Sequence, residues 1–254
     1  GMKPFLLMGA GKVLIDVLTD TGAPTGLALK GNCTKVSVKP DSELIEEYGA
    51  SDEDLFQVIG SVTIPKPAQA EAEFNQVDAD LFAMAFMGTN SLFTQTLGTV
   101  ADPGQEFTVV LDKAAELGKY GITVTSVKSG DGTTTYLEGV DYIVRPRIGG
   151  IIPLSTGSMV AGAKVKAVYS WPAIEGSVMR GMTKSNVRCR IVWEGKNYAD
   201  GREFVLELYQ ARLAPSGDFN FQNAIEKQFL RISFNMSLET PVGKGEPFKL
   251  TWLS

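Results

Sequence analysis

The side chains in this chain that could do chemistry are carboxylates, lysines and two thiols, with no imidazole among them. Glu71 and Glu73 stand two apart, and Asp78 and Asp80 do the same a few residues later. Paired carboxylates are what a glycoside hydrolase needs, one as acid and one as nucleophile or base. Both pairs have plainer explanations. Residues i and i+2 of a strand share one face, which accounts for Glu71 and Glu73. Carboxylates at a helix start favour the helix dipole, which accounts for Asp78 and Asp80. Asp52-Glu53-Asp54 offers oxygens to a cation but lacks the ligand spacing and the glycine of a calcium loop. Gly9-Ala10-Gly11-Lys12 lacks the spacing of a phosphate loop, has Val13 where Ser or Thr should follow the lysine, and leads into a strand. The absence of histidine removes Ser-His and Cys-His nucleophile pairs and most metal sites. Cys33 and Cys189 each sit in a strand-like run, which predicts buried thiols in a reducing compartment. A bridge between them is not readable from spacing. The expectation is a non-enzyme with no catalytic residue, no metal and no cofactor.

The elements that would position these groups are mostly strands. The 254 residues allow one large β domain or two small ones, and an apolar fraction of 44% is enough for a buried core. A net charge of −5 argues against general nucleic-acid affinity. No apolar run approaches the ~20 residues of a membrane span. Phe5 to Met8 is too short for a signal peptide, and Gly1 ahead of Met2 reads as a vector-derived remnant. Alternation predicts strands at 13–18, 33–38, 68–74 and 187–193. Phe204 to Leu213 reads as a central strand covered on both faces. The clearest strand is Leu230 to Glu239, where Leu230, Ile232, Phe234, Met236 and Leu238 alternate with Arg231, Ser233, Asn235, Ser237 and Glu239. Pro215 to Asp218 reads as a turn, and Phe219 to Glu226 as a strand-like or short helical piece. Asp78 caps a helix over about 78–87, stopped by Gly88. Residues 40–54 form an acidic excursion between two strands, ending in the tip Gly49 to Asp54. Leu44, Ile45, Tyr48, Leu55, Phe56, Val58 and Ile59 are too apolar for a free loop, which suggests packing on a neighbour. Thr89 to Asp102 reads as a connector to a separate β module at 104–172.

The order of parts from Gly31 to Gly88 resembles the tail tube proteins of long-tailed phages. The shared order is a Gly-Asn step (Gly31-Asn32), a strand, a Glu-rich segment ending in Tyr48, a long loop, a returning strand, and a helix rich in Leu, Ala and Met. The resemblance extends to the strands after Val187. The run Tyr136-Leu137-Glu138-Gly139-Val140-Asp141-Tyr142, the Gly150-Ile151 step and a last strand ending in Tyr169 look like a small β module inserted in some phage tail proteins. Arg145-Pro146-Arg147 departs from that module, whose turn tends to be acidic or small, which makes the turn a candidate contact surface; solvated turn charge is the plainer reading of Arg145 and Arg147.

The resemblance implies a mainly β fold: a β-sandwich or partly closed barrel from residues 1–103 and 173–254, one flanking α-helix, and the inserted module at 104–172. It implies a structural virion protein whose copies form stacked, hexameric rings around a DNA conduit, made in the bacterial cytoplasm. The implied partners are itself and other tail proteins such as the tape measure and the tail terminator, with non-specific DNA passage and neither membrane nor small-molecule substrate. Other readings are a baseplate or fibre component, or a secretion-system tube subunit. Charge suggests that the acidic excursion of one subunit (Glu43, Leu44, Glu46, Glu47, Tyr48, Leu55, Phe56) meets the basic run of the next (Arg180, Lys184, Arg188, Arg190). The polar parity of the clearest strand, Arg231, Ser233, Asn235, Ser237 and Glu239, would face a wet lumen.

Overall fold

A computed structural model describes residues 2–253, apart from the side chain of Pro215. The chain begins with β1 (Gly9–Val17), β2 (Ala28–Leu29), β3 (Cys33–Tyr48), β4 (Val58–Phe74) and α1 (Ala79–Ala85). It continues through β5 (Thr89–Gln95), β6 (Gly98–Thr108), β7 (Ala115–Glu116), β8 (Thr123–Ser129), β9 (Thr135–Tyr136), β10 (Tyr142–Arg145), β11 (Gly150–Pro153), β12 (Lys164–Trp171) and β13 (Ile174–Arg180). It ends with β14 (Arg188–Asn197), β15 (Glu203–Ser216), β16 (Ile232–Glu239) and β17 (Phe248–Trp252). Among the described residues the fold is mainly β with one α-helix, and no barrel closes. No described helix is long and apolar enough to cross a membrane.

Two compact units divide the chain. The first holds residues 1–90 and 179–254, the second Ser91–Val178. The second unit therefore starts at Ser91 rather than 104 and ends at Val178 rather than 172.

The first unit is built on an open antiparallel sheet in the order β2-β1-β14-β15-β16-β4-β3, with β17 on the N-terminal half of β15. Its apolar face follows the alternation in the sequence. Val13 and Ile15, Cys189 and Ile191, Leu208 and Leu213, Ile232 to Leu238 at even positions, and Ala68 to Phe74 at even positions form one core. Leu81, Met84 and Ala85 of α1 join that core. The Asp78 carboxylate accepts from the Leu81 amide at 2.8 Å and caps the helix. Gly11 lies in β1 rather than in a phosphate loop, and a Cβ there would stand 2.0 Å from the Glu194 carbonyl oxygen.

Four local expectations need correction. Residues 40–48 of the acidic excursion belong to strand β3 and pair with β4, and only the tip between Tyr48 and Val58 is a turn. The turn placed at Pro215 is still strand, since β15 continues to Ser216. Phe219 to Glu226 forms neither strand nor helix. It is held instead by rings, with Phe219 4.7 Å from Phe86 and Phe221 stacked at 6.2 Å on Phe82. The connector after Thr89 is two strands, β5 and β6, because the β5 backbone pairs with β13 and the Gly98–Thr108 backbone pairs with β12.

The second unit has its own core of Val109, Leu117, Ile122, Val127, Tyr142, Ile151, Met159, Val165, Ala167 and Tyr169. Its sheets run β6-β12-β8-β9 and β10-β11-β7. Asp141, buried despite its charge, ties two turns together. It accepts from the Leu137 amide at 2.8 Å, and from the amide and hydroxyl of Ser158, each at 2.8 Å. These hydrogen bonds, the Leu137 amide first, hold its carboxyl below the usual carboxylate range.

Candidate assembly interface

The feature with the clearest unmet surface is the hairpin of β3 and β4. Its base belongs to the sheet, with β4 pairing with β16 from Gln69 to Phe74. Beyond Gln69 only β3 and β4 continue, and the register runs from Asp41 opposite Lys66 to Tyr48 opposite Val58. Every residue of β4 from Val58 to Pro67 is exposed. This arm shows apolar side chains on both faces, because residues directly opposite share a face. One face carries Ile45 opposite Val62 and Glu43 opposite Ile64; the other carries Leu44, opposite Thr63, and Tyr48, opposite Val58. Leu44 is 57% exposed, and Phe56 at the tip is 82% exposed. A lone two-stranded ribbon is marginal in water. A contiguous apolar patch of this kind marks an interaction surface.

The arm is also acidic. Glu43 pairs with Lys66 at 3.3 Å. Glu46 accepts from the Tyr48 hydroxyl at 2.8 Å, and this bond raises the phenol above its ordinary pKa. Asp54 turns inward at the tip and accepts from the Ser51 amide at 3.0 Å. Glu47, Asp52 and Glu53 make no ion pair among the described residues.

The basic run expected to receive this arm is divided. Arg188 donates to Glu239 at 2.7 Å, and Arg190 pairs with Glu207 at 2.8 Å, so both charges are met inside the subunit. Lys249 also reaches Glu207, at 3.9 Å. Arg180 and Lys184 lie elsewhere, on the segment that crosses the end of α1, where the Met182 amide donates to the Phe86 carbonyl and the Lys184 amide to that of Met87. Sequence distance alone grouped the four; strand register separates them.

The polar strand parity reads as expected. Ser233, Asn235, Ser237 and Glu239 alternate with buried Ile232, Phe234, Met236 and Leu238 along β16. Arg231 stands just before the strand and binds Glu73 at 2.8 Å. The polar face extends into strands the sequence reading did not assign to it. Ser233 lies beside Glu73, Asn235 beside Glu71, and Ser237 beside Gln69. Next on β3 come Lys35, Ser37 and Lys39. The signal was present in Ala68 to Phe74, whose small and apolar residues point in and whose Gln69, Glu71 and Glu73 point out.

Cross-strand partners claim the carboxylates that resembled a catalytic pair. Lys35 binds Glu71 at 2.9 Å. Glu73 accepts from the Thr34 hydroxyl at 2.8 Å and from Arg231, and these bonds, Thr34 first, hold it below the usual carboxylate range. Asp78 and Asp80 are shared by the buried ammonium of Lys30 at 3.3 and 3.6 Å. Both cysteines are free thiols: Cys189 is buried, but Cys33, expected to be buried too, is partly exposed because it lies at the start of the edge strand β3.

Comparison with the curated proteins gives no match. The model of a protein family matches residues 6–240, nearly the whole of both units, and the chain therefore belongs to the family described as "Protein of unknown function UCP028589".

Proposed function

We propose that the chain is a structural subunit that assembles with copies of itself, as the tail tube protein of a long-tailed phage does. Stacked rings, hexameric by the resemblance, would enclose a conduit for DNA, and the mature protein would reside in the virion tail. The observation that carries the reading is the β3–β4 arm: an edge hairpin that leaves its sheet with apolar side chains on both faces. In a monomer such an edge is an aggregation liability; in a repeating assembly it is a joint. The polar face of β16, β4 and β3 supports the reading too, because a wet lumen must offer passing DNA no apolar grip. Arg231 and Lys35 have carboxylate partners there, whereas Lys39 on the same face makes no ion pair among the described residues. A net charge of −5 adds mild repulsion of DNA. The tape measure and tail terminator are the further partners that this reading implies, and it assigns no catalytic residue.

Negative-stain electron microscopy of the purified chain across a concentration series, with sedimentation alongside, tests the proposal. Rings or stacked tubes with an axial channel wide enough for duplex DNA are expected. A closed oligomer without a channel, or monomers at every concentration even with tail-initiating proteins added, would overturn it.

A further inference from the structure

We infer that the acidic arm of one copy docks on a basic corner of the second unit of another copy, formed by Lys119, Tyr120, Arg145, Arg147 and Ile148. This rests on the self-assembly reading above and names the surface that receives the arm.

The corner is built by two turns sewn together. Arg145 ends β10 opposite Gly150 on β11, and Pro146–Ile148 between them form one turn of 3-10 helix. The Pro146 carbonyl accepts from the Gly121 amide at 2.8 Å and from the Ile122 amide at 3.1 Å. The Leu117 amide donates to the Gly149 carbonyl at 2.8 Å. Gly149 has φ +66, and a Cβ on it would lie 1.9 Å from the Lys119 carbonyl oxygen, so only glycine lets the two turns approach this closely. Gln95 braces the same corner, accepting from the Tyr120 amide at 3.0 Å and donating to the Tyr120 carbonyl at 2.9 Å.

Rigid backbone thus presents a fixed set of side chains. Arg145, Arg147, Tyr120 and Ile148 are exposed. Lys119 rests 5.1 Å over the Trp171 ring. None of the ion pairs among the described residues involves Lys119, Arg145 or Arg147. That is the opposite of Arg188 and Arg190, whose carboxylates are internal. The arm is the matching surface: Glu47, Asp52 and Glu53 make no ion pair among the described residues, and Tyr48, Leu55 and Phe56 stand exposed beside them. Acid plus apolar on one side meets base plus apolar on the other, the arrangement that fixes register and partner choice. The occupant is a second copy because the complementary charge is carried by the chain itself.

The test mixes isotope-labelled and unlabelled full-length chain, treats the mixture with a zero-length carbodiimide cross-linker over a concentration series, and maps the products by mass spectrometry. Mixed-isotope links from Lys119 to Glu46, Glu47, Asp52 or Glu53 are expected in whatever oligomer forms, tube or not. Microscopy of the same samples judges the tube reading separately. The Arg145→Glu/Arg147→Glu variant should lower those links at least about tenfold, and adding Glu46→Lys/Glu47→Arg should restore assembly by swapping the charges. Circular dichroism melting checks that each variant folds. Absence of the Lys119 links from the wild-type chain, links confined to one isotope, or arm links mainly to Lys184 would overturn the inference. So would links unchanged in the Arg145→Glu/Arg147→Glu variant.

Discussion

Ile45 and Val62 lie directly opposite each other in the arm, so they share one face and one fate. They are 48% and 61% exposed in the isolated subunit. Fully burying such a side chain is worth ~1.5–3 kcal/mol. Covering the remaining half therefore gains about 1 kcal/mol each, or about 2 kcal/mol for the pair at every arm contact. Replacing both with threonine keeps the β-branched shape and strand preference but forfeits most of that gain. The expected result for Ile45→Thr/Val62→Thr is a rise of about tenfold to thirtyfold in the concentration needed for assembly, since 1.4 kcal/mol is a factor of ten. The melting temperature of the subunit should stay within about 2 °C of wild type, because the arm is outside the core. Sedimentation against concentration measures the first quantity and calorimetry the second. Unchanged assembly would show that this face of the arm is not a contact. A large fall in melting temperature would show that the arm is part of the folded body, and the argument from exposure would fail.

Phe234 meets Phe74 edge to face at 6.2 Å in the core of the first unit, so Phe234→Ala should cost about 3–5 kcal/mol in a denaturant titration. The Asp141 carboxyl is held low in the folded state, so the stability it lends is complete above about pH 4 and is lost as pH falls through its lowered value. Protection of the Leu137 and Ser158 amides, as hydrogen exchange relative to the intrinsic rate at each pH, should fall in Asp141→Ala at neutral pH and in the wild type only in acid. Burial pushes the Cys189 thiol up to about 12, so iodoacetamide at pH 8 should label Cys33 in the folded protein and reach Cys189 only after denaturation.

Much of this fold was legible where the period was clean. The alternation of Leu230 to Glu239 placed β16 and its two faces, and Asp78 placed the start of the helix, which ends at Ala85, short of the expected 87, with Met87 rather than Gly88 in the left-handed conformation. The arm was misread for a physical reason. Pro40 and Pro67 fall inside the register shift where Lys39 opposite Gln69 gives way to Asp41 opposite Lys66. A bulge is where a strand tolerates proline, since no ladder hydrogen bond is lost there. Read singly, Pro40 at the head of an acidic segment looks like the edge of a loop; in the structure Pro40, Pro65 and Pro67 lie at and beside the point where a paired ribbon leaves the sheet. The basic run failed as a grouping because partners come from strand register: Arg188 and Arg190 meet carboxylates from β16 and β15. The two turns of the basic corner, separated in sequence by more than twenty residues, are joined by backbone bonds that no pattern in either turn announces.

The continuity of β4 has a mechanical consequence. The backbone that forms the arm is the same backbone that lies between β16 and β3 in the sheet. Tension applied along the arm is therefore carried straight into the ladder from Gln69 to Phe74. It pulls parallel to the strands, so the rows are loaded together in shear instead of being unzipped in turn. A joint made this way resists stretching far better than it resists peeling, and the bulge at Pro40 and Pro67 is the point where it can flex without giving up that grip.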